Sequence, residues 1–336
     1  MQLRLVVPDF HLDRDALDGA DTSQLPRLPA LECLLRFGRL SQDRARWPAA
    51  LAVWAGRPDL AAVSPAALVA AACGVAQPAS AWFATPVHLV AGLDHLRLHP
   101  AGLLRLDAAE AATLVADFDA LFGADGLALR PIEGGFLLTG LGLLDVTAVE
   151  PARLLGADLR RAPPAGPDAG VLRRLATEIE MWLHARAAVA APSRQLTPNA
   201  LWLWGGGLSP VDVIAARPAP GCEGPLYAED PTASALWRLG GDAARPLPMD
   251  FAALAADPLA ATGPVTLCVP ASPRSPGDRP LERLENDWVA PALAALRAGQ
   301  LARLSLHVAG RGWQLGRSFG WRFWRRRQAW WDTLAS

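Results

Sequence analysis

Asp9 closes the run LRLVVPD, in which residues 3–7 are β-prone and Pro8 ends them. The aspartate therefore stands where the carboxyl end of a buried first strand opens into a loop. A second stretch, TPNALWLWGGG at residues 197–207, sets Asn199 and Trp204 directly before Gly205, Gly206 and Gly207. Glycines after a strand let backbone amides come close to an anion. The spacing is neither GxGxxG nor that of a Walker loop, so no nucleotide fingerprint is present, and a tight turn at a strand end is the plainer explanation. His88, His95 and His99 lie near Asp94 and could hold a metal if strands converged them, but their spacing matches no established metal motif. The stretch from Arg311 to Trp331 interleaves arginines with tryptophans and carries no acid. Its densest part, with Arg322, Trp324, Arg325, Arg326 and Arg327, has the chemistry to meet phosphates, bases or an acidic partner. The competing reading is a terminal helix whose tryptophans dock on the core while the arginines face water.

Composition narrows the chemistry further. All 32 basic side chains are arginine, which removes Schiff-base lysines and a Walker lysine. The four cysteines, Cys33, Cys73, Cys222 and Cys268, form no CxxC pair and suit buried thiols in a reducing, cytoplasmic compartment. A net charge of −1 excludes overall polyelectrolyte behaviour. The longest apolar run, around residues 66–76, is too short to span a membrane.

The elements that must position these residues follow from periodicity. After the first strand, helices are expected at 28–40, 47–55 and 65–73. A stretch of strand-like alternation from residue 84 to 106 leads into an N-capped helix at 107–123, and a hairpin at 127–140 is followed by a strand at LGLLDV. A long helix then runs from 171 to 190 and delivers the chain to the strand ALWLW. Weaker alternation follows: VDVIAA, a helix at ASALWRLGG, the strand PVTLCVP, a helix from Pro280 to Gly299 and the strand LARLSLHVAG. The pattern implies an α/β fold with a parallel-sheet core built from residues 1–80 and 196–310, an α+β domain inserted at 81–195, and an Arg/Trp-rich segment at 311–336.

The quoted motifs carry a resemblance. PNALWLWGGG resembles a motif of the archaeal-type cofactor-independent phosphoglycerate mutases, a branch of the alkaline-phosphatase superfamily. LRLVVPD is similar to their first strand with its metal-binding aspartate, LPALECLLRFGRL to their Pro-x-Leu-x-x-Leu-x-x-x-Gly helix, and FATPVHL to the start of their inserted α+β domain. The resemblance implies an alkaline-phosphatase-like core. It also implies that the chemistry is missing, because that family moves a phosphoryl group with two divalent metals held by Asp and His around a nucleophilic serine. Here Asp9 is followed by Phe10 instead of glycine, Pro48-Ala49-Ala50 stands where the family has Pro-Gly-Ser, and ASPRSPGDR contains no histidine. The family's terminal Asp-His pair is absent near His307, and Trp204 takes the place of an arginine before the glycine loop. The chain also resembles the RpfE-type regulatory proteins of bacteria, which share PNALWLWGGG and the Trp/Arg-rich C-terminus.

The expectation is thus a catalytically degenerate regulatory protein without metal or cofactor. It would bind a small anion at Asp9, Asn199, Trp204 and Gly205–Gly207, or an acidic macromolecule at Arg322, Trp324 and Arg325–Arg327. One alternative is an active metal-dependent mutase or phosphatase with ligands relocated to Asp9, His88, His95, His99 or Asp278. Another is a nucleic-acid or acidic-protein binder acting through the basic segment alone.

Overall fold

The computed structural model describes residues 1–12, 22, 25–40, 47–92, 95–189, 196–210, 221–261, 263–273, 278–319, 326 and 328–335. The chain is a mixed α/β protein that divides into two compact units. The first comprises residues 1–61, 217–272 and 279–336, and the second 62–216 and 273–278.

The first unit is built on a six-stranded sheet in the order β2-β11-β10-β1-β9-β8. Its centre is parallel: β1 (Gln2–Val7) lies between β10 (Arg303–Val308) and β9 (Pro264–Cys268), and β8 (Leu226–Ala228) adds to β9. At the other edge β11 (Arg311–Gly316) and β2 (Arg39–Leu40) add antiparallel steps. Alternation along β1 sends Leu3, Leu5 and Val7 to one face, where they join a core with Leu31, Leu34, Leu293, Leu296 and Trp330. That core is supplied by α1 (Pro29–Phe37), by a helix running from Pro280 to Arg297, and by the terminal helix Trp330–Leu334. Toward the opposite face, α2 (Trp47–Trp54) packs with the helix Pro231–Leu239 and brings Trp54 over Arg4.

The second unit is an antiparallel sheet organised around β3 (Trp82–Ala91). One edge of β3 pairs first with β6 (Gly135–Thr139) and then with β4 (Leu96–Leu103); β5 (Ala128–Ile132) extends β6. The change of partner falls at Thr85 and Pro86, where proline offers no amide to a ladder. The other edge carries β7 (Ala200–Trp204). The helix Ala108–Phe122 starts on a complete capping box, with Asp107 and Glu110 satisfying each other's backbone amides. It packs Phe118 and Phe122 against Trp182 of the long helix Ala169–Val189, and both helices share a buried cluster with Phe136, Leu138 and Leu203.

Two sequence expectations change. ALWLW, expected in the parallel core, pairs as β7 with Phe83–Val87 of the antiparallel sheet and belongs to the second unit. LGLLDV forms no strand; beyond it, Thr147 makes only an isolated bridge to Ala165. Within the segment 311–336, Arg311–Gly316 is a sheet strand and Trp330 and Leu334 are each 1% exposed in the core. VDVIAA lies outside the described residues.

Candidate functional site

In α/β sheets ligands gather at the carboxyl ends of the parallel strands, and Asp9 stands just past the end of β1. Both of its side-chain oxygens accept a hydrogen bond there. Oδ1 accepts the amide of Ala271 at 2.7 Å and Oδ2 that of Ser272 at 3.0 Å, while the Ser272 hydroxyl donates to the Asp9 carbonyl at 3.1 Å. The carboxylate thus ties the loop after β9 to the end of β1, and such charge-assisted bonds contribute about 1.5–3 kcal/mol each.

Two further groups belong to this end of the sheet. Asp230 follows β8 and caps the helix Pro231–Leu239, accepting the amide of Ala233 at 2.8 Å. Cys268 ends β9 and is fully buried; burial pushes its thiol well above the ordinary range, and the Asp230 and Asp9 carboxylates push it further the same way. Such a thiol is a packed core group and not a nucleophile. The field that reaches it is negative, which opposes an anion at Asp9. Sequence reasoning passed over Asp230 although Asp-Pro ahead of an apolar helix is a recognisable start signal.

Asn199, Trp204 and Gly205–Gly207 belong to the second unit. The Asn199 carboxamide accepts the amide of Leu89 at 2.7 Å and donates to the Leu89 carbonyl at 2.8 Å, extending the β7–β3 ladder beyond Ala200. Trp202 donates its indole N–H to Val149 O and Trp204 to Thr85 Oγ1, both at 2.8 Å. The glycines then allow close packing. A methyl group at Gly206 would lie 2.5 Å from Trp82 Cδ2 and 2.6 Å from Ala81 O; at Gly205 it would meet Phe83 at 2.7 Å, and at Gly207 the Val146 carbonyl at 2.7 Å. Gly205 and Gly207 also adopt φ values of 70° and 117°. The loop continues into a brace for the helix Pro65–Ala72: Ala66 N donates to Gly205 O at 2.9 Å and Ser64 N to Ser209 Oγ at 2.8 Å.

His88, His95 and His99 make contacts within the second unit as well. His88 Nδ1 donates to Thr197 O at 2.8 Å, and His99 Nδ1 accepts the amide of Ala101 at 3.1 Å, leaving the rings 6.1 Å apart. His95 packs its ring over Gly92. Asp94 is outside the described residues. Among the described residues no group of three or more His, Cys, Asp or Glu is arranged to hold a metal ion. Of the basic segment, Arg326 is described and exposed, whereas Arg322, Trp324, Arg325 and Arg327 lie outside the described residues. Among the described residues no helix is long and apolar enough to cross a membrane.

No family model and no curated protein matches the chain. Among solved structures it is similar to a cofactor-independent phosphoglycerate mutase from Thermoplasma acidophilum DSM 1728, with 14% identity and a TM-score of 0.37 over 95% of this chain and 90% of that one. It is also similar to the PH0037 protein from Pyrococcus horikoshii, with 12% identity and a TM-score of 0.44 over 91% of this chain and 81% of that one. Both likenesses are distant.

Proposed function

We propose that the chain is a catalytically degenerate, phosphoglycerate-mutase-like protein with an alkaline-phosphatase-type core, and that it works by binding. The observation that carries this reading is the engagement of both Asp9 oxygens by the amides of Ala271 and Ser272. A carboxylate committed to a loop in this way fastens the fold, and the sequence offers Pro48-Ala49-Ala50 where the resembled enzymes keep their nucleophile. The purified protein, assayed for mutase and phosphatase turnover with magnesium, manganese or zinc added, is expected to be inactive. Metal-dependent turnover that disappears in Asp9→Ala overturns the proposal.

The partner favoured by this reading is an acidic macromolecule, met by Arg322, Trp324, Arg325, Arg326 and Arg327 in keeping with a regulatory role of the RpfE type. The residues on either side of that segment support it: Phe319 is 8% exposed and Trp330 1%, so the flanks are anchored, and Arg326 faces solvent. A short single-stranded oligonucleotide and a polyglutamate peptide serve as probes. Binding should weaken steeply with salt, and changing the four arginines to glutamine should flatten that dependence. A small anion held by Asp9, Asn199, Trp204 or Gly205–Gly207 would first have to displace the hydrogen bonds and ring contacts those residues already make.

A further inference from the structure

The face of the parallel sheet opposite the main core has an unexpected composition. Parallel strands covered on both sides are ordinarily runs of aliphatic side chains. Here Ser305, Arg4 and Thr266 stand side by side across β10, β1 and β9, in register. One step along, His307, Val6 and Cys268 form the next row. Thr266 is 0% exposed, Ser305 4% and His307 6%.

Trp54 closes over this row. The Arg4 guanidinium lies 4.5 Å from its ring centroid, and His307 meets the same ring edge-on at 5.0 Å. Arg4 Nη2 is paired with Glu223, whose side chain is 51% exposed and whose own amide donates to the Trp54 carbonyl at 2.7 Å. Among the described residues, two buried polar atoms of this row find no hydrogen-bond partner: Arg4 Nη1 and Thr266 Oγ1. Folding gains nothing from such a pair, because an unmet buried donor is costly and a valine at 266 would fit the same strand. Both atoms can donate, so what they lack in common is an oxygen acceptor.

The geometry points to a binding site for a small oxyanion, of the phosphate or carboxylate class, at Arg4 and its neighbour across the sheet, Thr266. In the unliganded chain the Glu223 carboxylate takes the place of that anion on Arg4. An ion pair with one partner half-exposed is worth little, so an incoming oxyanion displaces Glu223 at small cost. It then gains the guanidinium held over the Trp54 ring and the Thr266 hydroxyl. This site lies wholly within the first unit and is independent of the basic segment and of whether the chain turns over a substrate.

Calorimetric titration with inorganic phosphate at fixed ionic strength tests it. Glu223→Gln removes the competing carboxylate, so phosphate should bind about two- to fivefold more tightly than to the wild type, the worth of one partly exposed ion pair. Thr266→Val should lose about tenfold and Thr266→Ser, which keeps the hydroxyl, should not. Arg4→Gln should abolish binding. Glu223→Gln sits at a half-exposed position, so its result does not depend on whether Arg4→Gln folds. Changing Arg322 and Arg325–Arg327 to glutamine should leave phosphate binding unaltered, which separates this site from the basic segment. Unchanged or weaker phosphate affinity in Glu223→Gln overturns the assignment, as does phosphate binding that vanishes with the segment arginines.

Discussion

The Asn199 carboxamide acts as a peptide group, accepting one hydrogen bond from Leu89 and returning another to it. Only a side chain with both a donor and an acceptor in one plane can do this. Asn199→Asp keeps the shape but sets a carboxylate oxygen against the Leu89 carbonyl, and should lower unfolding stability in urea by about 2–3 kcal/mol. The glycines beside it obey packing in the same way. Gly206→Ala forces a methyl group into Trp82 and the Ala81 carbonyl and is expected to destabilise, whereas Gly170→Ala, with nothing within 4 Å and a helical position, should be neutral or slightly stabilising in the same melts. Equal effects at the two glycines would show that close approach is not what Gly206 serves. The juxtaposition of bulky tryptophans and small glycines thus serves the packing of the sheet. The indole N–H groups fasten the strand, and the glycines admit the neighbouring strand's own rings.

At the scale of elements, α1 lacks a capping side chain of its own, since Leu28 occupies the N-cap position. The cap comes from 254–255 residues away: Glu285 accepts the amides of Ala30 at 2.6 Å and Leu31 at 2.9 Å. Glu285 lies on a π-helical turn, Leu284–Val289, set into the helix between Pro280 and Arg297. Burial raises its carboxyl above the ordinary 4.5, against the lowering pull of the two amides, and Glu32 adds to the rise. The folded state therefore holds the proton more tightly than the unfolded chain. Its contribution to stability is complete below the ordinary carboxyl value and declines as pH rises through the elevated folded value. Compared with Glu285→Gln in urea melts from pH 4.5 upward, the wild type should lose relative stability with rising pH and then level off; a difference that stays flat refutes the burial argument. This cap shows what sequence could and could not disclose. The helix 280–297 and the start of α1 at Pro29 are readable from apolar spacing and proline position, but a cap arriving from the far end of the chain leaves no local signal. Strand β11 was hidden for another reason: its arginine and tryptophan content suggested a basic surface, although Trp313 and Leu315 alternating with Gly312, Gln314 and Gly316 carry the period of two. β7 was legible as a strand and not as a neighbour of β3, because register is set by a partner more than 100 residues away.

Among the described residues, each of the two units carries a large buried apolar cluster. One gathers Phe10, Leu31, Leu293 and Trp330 in the first unit, and another gathers Phe118, Phe136, Leu183 and Leu203 in the second. Within the first unit, Trp330 is 1% exposed, meets Phe10 with ring centroids 6.2 Å apart, and donates its indole N–H to Pro26 O at 2.9 Å. The last described helix is therefore part of the core that also holds the residue after Asp9. Trp330→Ala removes a large buried ring and its hydrogen bond and should cost about 3–5 kcal/mol. The loss should appear as faster amide hydrogen exchange in β1, β9 and β10, the strands whose side chains form this cluster. Unchanged exchange in Gln2–Val7 would show that Trp330 does not hold the core of this sheet.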